Sequence, residues 1–427
     1  MSRTPRVGRW TLLAVAAAAM GVAGTYQFVW SSIRVPIRTG IGIPEARLGT
    51  VFTLFIVFQT VSQFPAGWVR DRYGPRIPML GGAVALASGY ALVASADGLL
   101  AVYLAYVVGG IGAGIAYTVA LNTGVKWFNE RRGFATGVVG MAYGGVSFLV
   151  IPAVRGGIRT EFRRTLLLMG AGAGLVALVA AVVLRDPERS GSDAEDPGGE
   201  DPGEAPASET PDAHTGSENP ETRSPAGNPD ADEDPTTWRE AVRTWQFWHL
   251  YVVFVVVTGV GLMVVGKVVS YAGELGLSAA TATAAASVVA VSDAGGVVSV
   301  GAVSDRVGRE RTSAATLVLS GLALVASVAA GDRGIGLAFV ALVGAVAFFR
   351  SPVFAVFPSL VGDYYGEARS SENYAVLYTA KLPGGVFGGT VASGLVLTLG
   401  WSPSFLLGGA LVVVAGLSLV ALRPPDV

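Results

Sequence analysis

Long apolar runs, each closed by glycine, proline or charged residues, alternate along almost the whole of this chain. Read against those turn signals, they predict helices near 10–33, 47–69, 77–95, 99–123, 134–154, 165–184, 246–271, 280–302, 313–330, 334–358, 373–398 and 403–422. Each run is close to the roughly 20 residues that carry a helix across a bilayer core. The pattern therefore predicts an all-α membrane protein with twelve transmembrane helices. Residues Met1 to Arg9 lead into the first run without a clear small-residue cleavage site, and further spans follow, so this run reads as helix 1 rather than a leader.

One stretch breaks the alternation. Between Asp186 and Asp234 lie more than half of the chain's 31 acidic residues, mixed with proline, glycine and serine and almost no apolar side chains. Such a segment cannot bury enough apolar surface to fold by itself. The expected organisation is an amino-terminal six-helix bundle over 1–184, an acidic disordered cytoplasmic linker over 185–245, and a carboxy-terminal six-helix bundle over 246–427.

The two halves share a charged turn. Gly67, Asp71, Arg72, Gly74 and Arg76 follow helix 2, and Gly301, Asp305, Arg306, Gly308 and Arg309 follow helix 8, as two copies of G-x-x-x-D-R-x-G. A second repeat aligns Gly144-Gly145 of helix 5 with Gly384-Gly385 of helix 11. Internal repetition of this kind is typical of secondary transporters. The paired turns resemble the signature loop of the major facilitator superfamily. That resemblance implies two pseudo-symmetric six-helix bundles that rock around a central site, with the two turns as a conformational latch. A plainer reading makes the arginines an anchor on the cytoplasmic side and the glycines a tight turn.

Composition narrows the chemistry. With 52% hydrophobic and 14% charged residues, a mean hydropathy of +0.54 and a net charge of −1, the chain offers no basic face for nucleic acid. Cysteine is absent, so disulfides and thiolate chemistry are excluded. His214 and His249 are too far apart in sequence and setting to suggest a metal site. The glycines from Gly109 to Gly114 mimic a nucleotide fingerprint, but Ile115 stands where its third glycine belongs and the run lies within an apolar span. There is no Walker loop. No metal, cofactor or enzymatic activity is expected. Basic residues gather on the side of the termini, against Arg34, Arg38, Arg47, Arg155, Arg159, Arg163, Arg164 and Arg333 on the other, which places both termini in the cytoplasm of a multi-pass cell-membrane protein.

Charges within spans cost a few kcal/mol each unless paired or hydrated, so they mark function. Lys381 lies about 12 Å from the cytoplasmic end of helix 11 at 1.5 Å per residue, too deep for easy snorkelling. Lys267 is only about 6 Å from the outer end of helix 7, within reach of the headgroups. Asp293, near the middle of helix 8, is the candidate for proton or ion coupling. Arg350 in helix 10 faces either the cavity or the headgroups. Mutual pairing of Lys381 and Asp293 is the structural alternative to a role for either in transport.

The segments Gly110 to Gly137 and Asn373 to Lys381, with Tyr117, Lys126-Trp127-Phe128, Tyr374, Tyr378 and the Tyr-Thr-Ala-Lys string, resemble the oxalate/formate antiporter and monocarboxylate porter branch. The resemblance spans nearly the whole chain outside the acidic stretch. It implies that Lys381 binds a substrate carboxylate. The helix 8 arginine of that branch is replaced by Val297, which favours a monoanion over a dianion unless Arg350 or Lys267 supplies a second charge. Tyr26, Gln27 and Trp30 of helix 1, Tyr117 of helix 4, Tyr143 of helix 5, and Tyr374 and Tyr378 of helix 11 are the expected polar and aromatic lining.

The expected function is secondary transport of a small organic anion by alternating access, with a proton or counter-anion and membrane lipid as the only other partners. A carrier of the same fold for a drug or sugar, and a non-transporting membrane sensor, are the rivals.

Overall fold

The computed structural model describes residues 8–128, 132–187, 236–366 and 370–425. Among them, eleven helices are long and apolar enough to cross a membrane. One of these, Ala135–Val183, has 49 residues, about 74 Å of helix and more than twice the thickness of a hydrocarbon core. Its backbone leaves helical geometry at Glu161, so it crosses twice, as helices 5 and 6. The architecture is therefore twelve membrane helices. The turn expected between 154 and 165 is confined to the break at Glu161, where φ is −144° and ψ 77°, so helix 6 follows helix 5 without an intervening loop.

The remaining spans are helix 1 (Arg9–Phe28, continued by Trp30–Ile41), helix 2 (Glu45–Val61 and Gln63–Tyr73), helix 3 (Arg76–Ala94), helix 4 (Leu99–Trp127), helix 7 (Trp245–Glu274), helix 8 (Ala279–Val307), helix 9 (Arg309–Asp332), helix 10 (Gly336–Arg350 and Val353–Tyr365), helix 11 (Ser370–Tyr378, Lys381–Val386, Phe387–Val391 and Ala392–Leu399) and helix 12 (Trp401–Ser418). Helix 1 runs past its expected end at 33, and Arg34 becomes a buried helical residue instead of a loop arginine. Two further breaks have a covalent cause. Proline lacks the N–H that the carbonyl four residues earlier requires, and its ring crowds that carbonyl. Pro383 thus frees Thr379, whose carbonyl takes Leu382 N–H at 2.9 Å instead, and helix 11 breaks immediately before Lys381. Pro352 interrupts helix 10 just after Arg350 in the same way. Both breaks adjoin a cation.

The expected linker is partly ordered at its edges. Asp186 is engaged by helix 2, and Trp238–Ala241 forms a short helix with Thr237 and Glu240 as a capping box. Residues 188–235 lie outside the described residues.

The halves meet along helices 2 and 11 and along helices 5 and 8. One face of helix 2 runs antiparallel to one face of helix 11. A side chain on Gly49 would collide with Ser393 and the Gly389 carbonyl, Thr53 bonds Thr390 at 3.0 Å and the Gly385 carbonyl at 3.3 Å, and Ile56 fills the space over Gly385. Gln59 then meets Lys381. Small residues are needed here because lipid tails are as apolar as leucine, so close backbone approach and interhelical hydrogen bonds drive association. Gly144 serves the same purpose, with the Ala290 carbonyl of helix 8 where a Cβ would stand. Arg34 closes the end away from the termini by donating to the Gly266 carbonyl at 3.3 Å. Toward the termini, Gln63–Tyr73 packs within its own half, on helices 3 and 4, and the seam loosens.

Candidate substrate site at the seam between the halves

Lys381 begins the helical segment that follows the break in helix 11 and is only 7% exposed. Its ammonium donates to Gln59 Oε1 at 3.2 Å and to the Tyr378 hydroxyl at 3.4 Å, and lies 5.6 Å from the Tyr378 ring centre. Among the described residues no carboxylate pairs with it. Gln59 in turn donates through Nε2 to the Tyr143 hydroxyl at 2.6 Å, and that hydroxyl donates to Gln27 Oε1 at 3.0 Å. Tyr117 packs edge-on against Tyr143, at 5.8 Å between ring centres. Helices 1, 2, 4, 5 and 11 thus each contribute to one polar layer with an ammonium at its centre. Every protein partner of that ammonium is neutral.

The other intramembrane charges are satisfied separately. Asp293 forms an ion pair with Arg350, joining helices 8 and 10, so the carboxylate does not neutralise Lys381. Arg350 also lies 5.6 Å from the Phe354 ring centre and fills the space that a side chain on Gly261 would need. It points into the protein rather than to the headgroups. Lys267, expected to snorkel, is 2% exposed and donates to Ser393 Oγ at 2.6 Å, because helix 11 packs over it.

Not every expected lining residue belongs to this layer. The Tyr26 hydroxyl donates to the Leu86 carbonyl at 2.6 Å, and its ring packs on Phe55, Tyr90 and Tyr106, inside the amino-terminal half. Trp30 stacks on Phe52 nearer the closed end, and Tyr374 stacks on Phe254 beside Tyr378. Gln59, fully buried, was missed by the sequence reading, although it is an amide at the end of the apolar run Phe55-Ile56-Val57-Phe58.

A repeated helical half, a seam of small residues and a polar layer across it are the anatomy of a rocking carrier, and the sequence profile of the Major Facilitator Superfamily matches residues 11–299 and 252–427. The chain belongs to that superfamily. Within it, the oxalate:formate antiporter of Oxalobacter formigenes is 30% identical over 408 residues, covering 93% of this chain and 88% of the relative. An uncharacterized MFS-type transporter of Escherichia coli (strain K12), YhjX, is 25% identical over 377 residues, covering 87% and 84%. A 38 kDa protein encoded in the 23S RNA operon of Thermoproteus tenax is 26% identical over 404 residues, covering 93% and 91%. This major facilitator chain is a multi-pass membrane transporter of the oxalate/formate antiporter branch, not an enzyme.

In this superfamily member the signature turns are built as charge networks internal to each half. Asp71 accepts from Lys126 of helix 4 at 3.2 Å and from Arg70 at 3.4 Å, while Asp186 accepts from Arg70 at 2.9 Å and Lys126 at 3.3 Å. Arg70 is fully buried, whereas the Asp71 side chain is 70% exposed. The network ties the ends of helices 2 and 4 to the chain leaving helix 6. Arg72 lies over Trp68, and Arg76 donates to the Val182 carbonyl at 3.3 Å. Gly67 has no neighbour closer than Thr118, at 3.7 Å from where its Cβ would be. In the second turn Arg309 pairs with Asp363 and donates to the Ser359 carbonyl at 2.7 Å, and Arg306 is exposed. Gly74 and Gly308 have φ of 79° and 102°, which only glycine adopts readily. The surroundings of Gly301 and the side chain of Asp305 lie outside the described residues.

Proposed function

We propose that this transporter carries a small, monocarboxylate-like organic anion across the cell membrane by alternating access, with both termini in the cytoplasm. The observation that supports this most is the Lys381 ammonium, withdrawn from water at the seam with only neutral partners. Desolvating a cation is costly unless an opposite charge compensates, and a substrate carboxylate is the compensating group that the protein leaves out. Similarity to the oxalate:formate antiporter over nearly the whole chain agrees with an anion as substrate.

Asp293 and Arg350 neutralise each other, so the layer around Lys381 carries one net positive charge. That favours a monoanion. Protonation of Asp293 releases Arg350 as a second cation, which is the route by which proton symport, or acceptance of a dianion in exchange, enters this scheme. The substrate bridges Lys381, Tyr117, Tyr143 and Tyr378 while Gln27 and Gln59 complete the hydrogen bonds.

The test is counterflow in proteoliposomes with lactate, pyruvate, acetate, formate and oxalate, alongside a sugar and a cationic drug. Saturable counterflow of carboxylates that is lost in Lys381→Gln is expected. Transport of the sugar or drug that survives Lys381→Gln supports the unrelated-solute rival, oxalate alone moving rejects the monoanion preference, and no flux at all rejects transport.

A further inference from the structure

At the end of the molecule away from the termini, a cavity of about 500 Å³ opens between helices 1, 5, 7 and 8 and the start of helix 12. Its wall from the amino-terminal half carries Arg38, Arg155 and Arg159. The facing wall supplies Glu274, Ser270 and Trp401. Arg155 and Arg159 thus face Glu274 across a half-enclosed space whose lining shares no residue with the Lys381 layer.

Two features mark this as more than a basic surface. Arg155 and Arg159 are four residues apart on one helix face, where like charges repel and destabilise the helix by about 0.2–0.5 kcal/mol. Among the described residues neither is in an ion pair, Glu274 included, whereas Arg164 on the same segment is neutralised by Glu161 at 2.9 Å. Moreover, Arg155 Nε is shielded from water without a hydrogen-bond partner. A part-buried arginine with donors to spare beside an exposed second arginine without an ion pair, both lining one cavity, suits an oxyanion. Low-dielectric walls around one sign of charge also focus the field and raise the local concentration of anions.

We propose that this cavity is a second anion site, a mouth in which Arg155 and Arg159, assisted by Arg38, hold a small solute carboxylate before it reaches Lys381. Its role as an entry site rests on the orientation and substrate class proposed above; its capacity to bind does not. A phospholipid phosphate has the same oxyanion chemistry, so the source of the anion is part of the test.

Binding of oxalate and lactate is measured on Lys381→Gln protein, which lacks the central cation, in phosphatidylcholine nanodiscs. One weak site is expected, with affinity falling at least ~10-fold when Arg155→Gln and Arg159→Gln are added. In otherwise wild-type proteoliposomes, the arginine-to-glutamine pair is expected to raise KM for anion on the Arg155 side by ~3- to 10-fold, to leave the maximal rate within twofold, and to flatten the dependence of KM on ionic strength. Unchanged binding in the glutamine variant overturns the proposal, as does a fall in maximal rate at constant KM. Loss of carboxylate binding when phosphatidylglycerol is included assigns the site to lipid and overturns it as a solute mouth. If Lys381→Gln leaves transport intact, the central assignment fails while the KM and salt readouts still judge the arginines.

Discussion

Lys381 and Gln59 face each other across the seam at 3.2 Å, the last rung of a ladder between helices 11 and 2 that begins with Ser393 and Gly49. The contact gives a buried ammonium an acceptor without neutralising it. Gln59 and Tyr378 take two of the three ammonium donors, so an arriving carboxylate accepts the third or displaces Gln59, and in the second case occupation of the site loosens the grip between the halves. Conversion of binding into movement requires such differential contact between states.

Replacing Lys381 by glutamine keeps a hydrogen-bonding side chain opposite Gln59 and removes the charge. A hydrogen bond to a charged group contributes about 1.5–3 kcal/mol, so substrate affinity should fall by about 10- to 150-fold. Equilibrium binding and counterflow measure it; retained carboxylate affinity defeats the assignment.

Gln59→Glu places a carboxylate beside Lys381 and supplies the missing counter-charge from within the protein. Thermal stability should rise, because the ammonium is then paired, while carboxylate transport is lost to internal competition. A melting curve and a flux assay on the same preparation decide it. Undiminished transport would show that the ammonium does not need to be vacant.

Asp293→Asn leaves Arg350 without its partner. Accumulation driven by a pH gradient should disappear while anion exchange persists, and preference should move from lactate toward oxalate as the site gains a net positive charge. Accumulation and exchange are compared in proteoliposomes with and without an imposed gradient. Unaltered accumulation removes Asp293 from the coupling scheme.

At Gly389 a side chain would meet the Gly49 carbonyl at 2.5 Å and Thr53 Oγ1 at 2.2 Å, and Gly389 itself is buried at this packed contact. Gly389→Val should cost about 1–3 kcal/mol by overpacking and bias the protein against the closed seam. Cross-linking between cysteines introduced at Thr53 and Thr390, whose hydroxyls meet across the seam at 3.0 Å, reads the population; equal cross-linking in both backgrounds argues against the seam as the moving contact.

Asp71 and Arg70 separate the latch from the anchor reading of the charged turn. Asp71 is mostly exposed, so Asp71→Asn should change stability by less than about 1 kcal/mol. If it nevertheless slows exchange several-fold, the turn acts on the rocking equilibrium; if flux is unchanged, the turn is an anchor. Arg70→Met, which removes one of the two partners of Asp186 and leaves Lys126, should lower the melting temperature more.

The twelve spans and the paired glycine turns were legible in the amino-acid sequence, because span length follows from bilayer thickness and the turns follow from glycine, proline and charge. The break before Lys381 was legible in principle, since Pro383 causes it. Which way each side chain points was not. In a membrane, lipid and protein interior are equally apolar, so a helix gives little contrast between the face it shows to lipid and the face it shows to a neighbour. Only the packed structure turned Tyr26 into its own half, covered Lys267 with helix 11, gave Asp293 to Arg350, and brought Gln59 of one half to Lys381 of the other. These contacts join residues far apart in the chain, and they form only when two helices commit to one register.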